Sequence, residues 1–217
     1  MKTDAFWQAT RGRFDGIVNV AVDWLAAKGV RPNSLTWFSL LPAIASIVAA
    51  ARGDFVLAAA MMALGGVCDF LDGPLARRAN QTTTFGALLD STLDRFADAA
   101  PMLGLVYFYA HYPWAAFIAA TAAFSGYTVS YVRARAEGLS IALPWMWMRR
   151  TERLLITGAG FLLAWIPAPF LTVPAPMTLL FVLSVGILAL TAAFHALFVA
   201  EGLIDPPTPN KTGQGER

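Results

Sequence analysis

Charged residues are scarce in this sequence. They make up 14% of its 217 residues, while 57% belong to the hydrophobic class, and the mean hydropathy is +0.56. A soluble domain averages about 25% charged residues and could not bury that much apolar surface at this size, so a membrane-embedded chain is expected. Cysteine is limited to Cys68, which excludes an internal disulfide; a lone cysteine in an apolar helix is expected to be a small core residue. Two histidines and one cysteine offer no cluster for zinc. A net charge of +2, with no single basic run, excludes nucleic acid as a partner. The first residues, MKTDAFWQATRGRF, lack the apolar core of a cleaved signal peptide, and the N-terminus is expected to be retained.

What the sequence has instead is long apolar runs. A spanning helix needs roughly 20 largely apolar residues. Pro32 to Ala51 supplies one span, and Phe55 to Cys68, extended by the segment Asp69–Arg78, a second. The third follows Asp98 to about Tyr112 and reaches back into a charged segment; Pro113 to Val132 is the fourth. From Leu154 to Ala200 no Asp, Glu, Lys or Arg occurs, and Pro167, Pro169, Pro174 and Pro176 divide this stretch into a fifth and a sixth span, since proline removes a backbone donor. The expected fold is therefore an all-α integral membrane bundle of six transmembrane helices. With the N-terminus inside, fifteen lysines and arginines fall on the inner side and Arg52 alone on the outer, so both termini are expected to be cytoplasmic.

Before the first span, Phe14, Ile17, Val18, Ala21, Val22 and Leu25 recur at helical spacing. With Trp24 and Lys28 they predict an amphipathic helix lying on the cytoplasmic leaflet. The expected organisation is a cytoplasmic N-terminus with this interfacial helix over 1–31, a six-helix domain over 32–202, and a disordered cytoplasmic tail over 203–217, where Pro206, Pro207, Pro209, Gly213 and Gly215 gather.

The segment DFLDGPLARRANQTTTFGALLDSTLD, from Asp69 to Asp94, is too charged for its position. Asp69 and Asp72 are three apart and Asp90 and Asp94 four apart, so each pair shares one face of a helix. A short loop around Asn80–Thr83 lets the pairs face one another. Four carboxylates at that depth repel and are costly to desolvate, and a bound cation relieves both. All-oxygen ligands select a hard ion, Mg²⁺, Mn²⁺ or Ca²⁺. Simple ion pairing of these acids with Arg77, Arg78 and Arg95 explains neither the glycines nor the spacing.

The spacing is specific: Asp69, Asp72, Gly73, Ala76, Arg77, Gly86, Asp90 and Asp94 are eight fixed residues within 26. At every fixed position it resembles the signature of the CDP-alcohol phosphotransferase (CDP-alcohol phosphatidyltransferase) family, and the six-helix profile extends the likeness over almost the whole chain. The resemblance implies that Asp69, Asp72, Asp90 and Asp94 hold two Mg²⁺ or Mn²⁺ ions and that Asp94 also serves as general base. It further implies that Gly73 and Arg77 bind the CDP part of a CDP-lipid, with Asn33, Thr36 and Thr83 as further contacts. Gly73 allows close approach of a nucleotide to the backbone, Arg77 suits a diphosphate, and Gly86 keeps a helix contact narrow.

A second basic cluster follows the fourth span: Ser130-Tyr131-Val132-Arg133-Ala134-Arg135-Ala136-Glu137, then Arg149 to Arg153. It resembles the pattern of phosphatidylinositol-phosphate synthases and archaetidylinositol-phosphate synthases, which implies an acceptor-phosphate pocket of Ser130, Arg133 and Arg153, supported by Arg135 and Glu137. Arg133 stands where the bacterial inositol pattern commonly has lysine, and the last span carries only His195, expected to be a packed or interfacial residue. The expected activity is transfer of a phosphatidyl group from CDP-diacylglycerol to a small phosphorylated alcohol, inositol 1-phosphate or alternatively glycerol 3-phosphate, with release of CMP. A homodimer in the inner (cytoplasmic) membrane, multi-pass and with its active site on the cytoplasmic face, is implied. The competing class is a transporter that uses intramembrane carboxylates as a relay. The carboxylate cluster predicts that excess chelator abolishes CMP release by the purified protein; full activity under chelation would sink the metal assignment.

Overall fold

The computed structural model describes residue 16 and residues 18–204. The N-terminus, Phe14 and Ile17 of the expected amphipathic helix, and the tail from 205 onward lie outside the described residues. Among these residues every regular element is a helix: α1 (Val18–Ala27), α2 (Pro32–Phe38), α3 (Leu40–Arg52), α4 (Phe55–Arg78), α5 (Thr84–Phe108), α6 (Pro113–Gly138), α7 (Arg150–Leu162) and α8 (Pro176–Ile204). Four helical stretches are long and apolar enough to cross a membrane: Pro32–Arg52, Phe55–Arg78, Pro113–Gly138 and Pro176–Ile204. The chain is a multi-pass membrane protein.

Two of the six expected spans depart from that criterion for different reasons. Helix α5 has 25 residues but carries Asp90, Asp94, Arg95 and Asp98. Helix α7 has 13 residues, about 20 Å at 1.5 Å per residue, against a hydrocarbon core of about 30 Å. It stops at Leu162, and the irregular stretch that follows holds Pro167, Pro169 and Pro174. The first expected span is also interrupted, at Ser39, where α2 gives way to α3. Pro42 then falls in the first turn of α3, where a missing N–H is tolerated. Ser39 is held by its own hydroxyl, which donates to the Thr36 carbonyl at 2.7 Å.

Helix α4 runs on through Pro74 to Arg78 and ends in a compact reversal. Asn80 takes a left-handed conformation (φ +52°), its N–H donates to the Arg77 carbonyl, and the Gln81 N–H donates to that of Ala76, the bonds of a Schellman motif. Thr83 then starts α5 as its N-cap, its hydroxyl oxygen accepting from the Gly86 N–H at 2.9 Å. This reversal brings the last turns of α4 beside the first turns of α5 at one end of the bundle, where α6 ends and α7 begins.

The rest of the bundle is packed through small residues. Helix α6 lies against α8 and α5, α3 against α5 and α4, and α7 against α8 and α4. A Cβ on Gly104 would lie 2.5 Å from the Ile47 carbonyl oxygen and 2.7 Å from Ala50 Cβ; one on Gly160 would lie 2.6 Å from Phe181 Cβ. In lipid, where apolar side chains gain little by leaving the solvent, such close backbone approach is what holds helices together. Buried polar groups on these faces are paired: Thr178 donates to the Gly160 carbonyl at 2.9 Å and the Tyr109 hydroxyl to the Ala175 carbonyl at 3.0 Å. Cys68 is buried, as expected of a core residue. Helix α1 buries Val22 and leaves Val20 and Trp24 exposed, while Asp23 pairs with Arg78 at 2.9 Å.

Gly104→Ala is expected to cost about 1–3 kcal/mol by overpacking α3 against α5, seen as a shorter half-life of the detergent-solubilised protein at fixed temperature. Gly158→Ala, where an added Cβ meets nothing within 4 Å, should leave that half-life unchanged or longer.

Candidate active site

The α4–α5 reversal sets Asp69 of α4 against Asp90 and Asp94 of α5. One oxygen from each carboxylate lies within 4.8 Å of the others. All three are partly buried, and Asp90 Oδ1 is buried with no hydrogen-bond partner. An orphaned carboxylate oxygen beside two further carboxylates is a donor set suited to a hard divalent cation, so the residues fit the expected metal. Asp72 lies outside this trio. It is 7% exposed, and its Oδ2 accepts from the Thr36 hydroxyl at 2.7 Å, a bond that turns it toward α2.

Two clefts flank the carboxylates. The first, of about 210 Å³, lies between the start of α2 and the α4–α5 reversal, and is lined by Asn33, Thr36, Asp72, Gly73, Arg77, Thr83, Gly86 and Asp90. It gathers all five residues expected to contact a CDP-lipid. Gly86 leaves little spare room there: a Cβ would lie 3.1 Å from both Asn33 Oδ1 and Thr83 Oγ1, closer than ordinary van der Waals contact. The second cleft, of about 220 Å³, opens on the other side, among the ends of α5, α6 and α7. It is lined by Asp94, Arg95, Asp98, Ser130, Arg133, Glu137, Arg150 and Arg153, and so joins Ser130, Arg133 and Arg153 as expected. Arg135 is exposed and does not line it.

The arginines of the second cleft are fixed by identifiable acceptors. Arg153, 6% exposed, donates to the Met148 carbonyl at 2.7 Å and to Ser130 Oγ at 3.1 Å, and forms an ion pair with Asp98. Its Nε is buried without a partner. Arg133 donates to the carbonyls of Met146 and Trp147 at 3.1 and 2.6 Å. The loop 139–149 thus presents three successive carbonyls to two arginines. Met148 adopts a left-handed backbone (φ +58°), a conformation uncommon for a non-glycine residue. His195 stacks on Trp147 with ring centroids 4.8 Å apart, in agreement with the packing role expected of it.

Two residues of the site were not among the candidates. Arg150 reaches into the acid cluster, where one terminal nitrogen contacts both Asp69 and Asp94 and Nε lies 3.3 Å from Asp98. Asp98 in turn joins Arg150 to Arg153. Spacing held a signal for both: Asp90, Asp94 and Asp98 recur every four residues, and Arg150 and Arg153 are three apart, so each set shares a helix face. Of the three arginines considered as simple partners of the acids, Arg78 pairs with Asp23, Arg95 donates to the Ser91 carbonyl, and Arg77 lines the first cleft.

The chain is similar to known proteins in sequence and in fold. A family model described as CDP-alcohol phosphatidyltransferase matches residues 30–202. The archaetidylinositol phosphate synthase of Methanothermobacter thermautotrophicus is 35% identical over 159 residues, covering 73% of this chain and 80% of its own. The phosphatidylinositol phosphate synthase of Mycobacteroides abscessus is 32% identical over 220 residues, covering 94% of each chain. Among solved structures, the fold resembles Mycobacterium tuberculosis phosphatidylinositol phosphate synthase with CDP-DAG bound (TM-score 0.76, 24% identity, covering 87% of this chain and 97% of that one). The same mycobacterial protein in complex with manganese and citrate gives a TM-score of 0.75 at 24% identity, covering 87% of this chain and 92% of that one. With the eight-residue signature folded around one carboxylate cluster and the family model spanning the helical bundle, the chain belongs to the CDP-alcohol phosphatidyltransferase family and is a transferase.

Proposed function

We propose that the protein transfers the phosphatidyl group of CDP-diacylglycerol to a hydroxyl of inositol 1-phosphate, with release of CMP. The observation that carries this assignment is the pair of clefts on either side of Asp69, Asp90 and Asp94: one lined by the signature glycines and Arg77, the other by four arginines. Relatives named phosphatidylinositol phosphate synthase and archaetidylinositol phosphate synthase support inositol phosphate as the acceptor. Several guanidinium groups around one cavity favour a phosphomonoester over a zwitterionic or cationic alcohol. A relay through the membrane has no comparable support, since the five acids from Asp69 to Asp98 line one end of the bundle.

In this mechanism the CDP part lies in the first cleft, between Asn33, Thr36, Gly73, Arg77 and Thr83. Asp69, Asp90 and Asp94 would hold one Mg²⁺ or Mn²⁺ ion, and Asp72 would join Asp69 and Asp90 in holding a second. Bound there, the ions supply charge stabilisation at the transferred phosphoryl group and the departing CMP. Ser130, Arg133 and Arg153 orient the acceptor phosphate in the second cleft. Asp94 accepts the proton of the attacking hydroxyl; that oxygen bonds to the lipid-side phosphorus as the bond from phosphorus to the CMP oxygen breaks. A single displacement needs no covalent intermediate on the protein.

We further infer that α5 and α7 complete six spans and that the site faces the cytoplasm of an inner-membrane protein, as the loop arginines indicate. The catalytic unit is residues 32–202, and a homodimer is assigned on family likeness. Screening acceptors with CDP-diacylglycerol while following CMP release tests the assignment; activity with unphosphorylated alcohols alone would overturn it.

Asp94→Asn is expected to reduce turnover by about 10²–10⁴-fold, the usual range for a general base, with CDP-lipid binding largely kept. Near wild-type turnover would remove Asp94 from that role. Arg133→Ala should raise the acceptor KM by roughly ten- to a hundredfold, as loss of one charge-assisted hydrogen bond implies, with little change in the KM for CDP-diacylglycerol. Arg153→Ala should do the same and also lower stability, because it strips the partly buried Asp98 of a partner; equal rises in both KM values would argue against a separate acceptor cleft.

A further inference from the structure

Arg150 lies where the proposed cation would bind. A single terminal nitrogen contacts Asp69 and Asp94, two of the three carboxylates whose oxygens converge within 4.8 Å. A dication ligated by those carboxylates needs oxygens at about 2.0–2.1 Å, for Mg²⁺, and takes the lone pairs that the guanidinium uses. Two cations sharing one half-buried cluster also repel. Ligation by Asp69 and Asp94 therefore requires the Arg150 side chain to leave them.

The structure offers it a destination. Arg150 already lines the second cleft beside Ser130, Arg133 and Arg153, and its side chain is 18% exposed, so rotation about its own flexible stem suffices. The neighbouring arginines cannot take over this part. Arg153 is fixed by Met148, Ser130 and Asp98, and Arg133 by two loop carbonyls. Arg150 alone among the three holds only carboxylates, two of which the cation claims.

We propose that Arg150 is a displaceable counter-ion: a divalent cation drives it off Asp69 and Asp94 and into the second cleft, where it binds the acceptor phosphate. The inference rests on the metal and acceptor assignments above and deepens them, because it makes acceptor affinity depend on metal occupancy through a side chain. The guanidinium competes with metal and then assists the acceptor, so its removal has opposite effects on the two ligands.

The test compares wild type with Arg150→Gln and, as a control, Arg52→Gln, an exposed arginine at the end of α3 remote from the carboxylates. Mn²⁺ binding to the detergent-purified protein is read from the paramagnetic resonance signal of the free ion. Inositol 1-phosphate binding is then measured at saturating Mn²⁺ for each protein. Arg150→Gln is expected to bind Mn²⁺ more tightly, and inositol 1-phosphate more weakly, each by roughly tenfold or more; Arg52→Gln should change neither. A merely structural role would weaken both ligands, so weaker or unchanged Mn²⁺ binding in Arg150→Gln overturns the proposal, as does an unchanged inositol 1-phosphate affinity. Failure of the underlying assignments has separate signatures. Wild-type protein that binds no Mn²⁺, or Asp69→Asn that binds it as well as wild type, removes the metal site. Wild type that does not bind inositol 1-phosphate removes the acceptor; either result overturns the displacement as well.

Discussion

Negative charge gathered at the end of an apolar bundle is the constraint around which the rest of this protein is arranged. Asp69, Asp72, Asp90, Asp94 and Asp98 sit on two adjacent helices, where withdrawal from water and mutual repulsion both disfavour ionised carboxylates. The compensation is uneven. Asp72 takes a hydroxyl from α2, Asp69 and Asp94 share Arg150, and Asp98 binds both Arg150 and Arg153, while one oxygen of Asp90 remains uncompensated. The arginines carry the problem outward, because a buried guanidinium must also place its donors. Three successive carbonyls of the loop 139–149 receive them, so the conformation of an irregular loop is tied to the acid cluster.

The opposite portion of the bundle contains almost no charge and is held by close backbone contact and a few hydrogen bonds to carbonyls. Gly104 against α3 and Gly160 against α8 permit helix approaches that any side chain would prevent, and few polar groups there lack a nearby carbonyl. A tightly packed apolar bundle yields little when its ends are perturbed. The charged end therefore keeps its geometry through the backbones that lead into it as well as through the carbonyls of the loop 139–149.

Much of this was legible in the sequence, and the boundary of what was legible has physical reasons. Uncharged runs located four spans, because length and apolarity are what a bilayer demands of a helix. They did not reveal that α7 stops at Leu162, because the charge-free run carries no mark of a helix end before Pro167, the first proline that divides it. The Asp69–Asp94 spacing identified the carboxylates, since positions three and four apart on a helix must converge. It could not place Asp72 outside the trio, as its partner Thr36 is 36 positions away. Arg150 was only half visible: its spacing put it on one helix face with Arg153, but an arginine at a membrane boundary looks the same in sequence whether it faces phospholipid headgroups or turns inward. Only the packing of α7 against α4 and α5 distinguishes them.

Asp90 and Asp94 are separated by one turn of α5, yet they open into different clefts. The spacing between the two substrates in the proposed reaction is then set by helix pitch, about 5.4 Å per turn, and by the intrahelical hydrogen bonds that keep it. Helix pitch does not respond to bilayer thickness, to acyl-chain length or to the motions of cytoplasmic loops. The enzyme carries its own ruler, and membranes of different lipid composition should present the two reacting groups at the same separation.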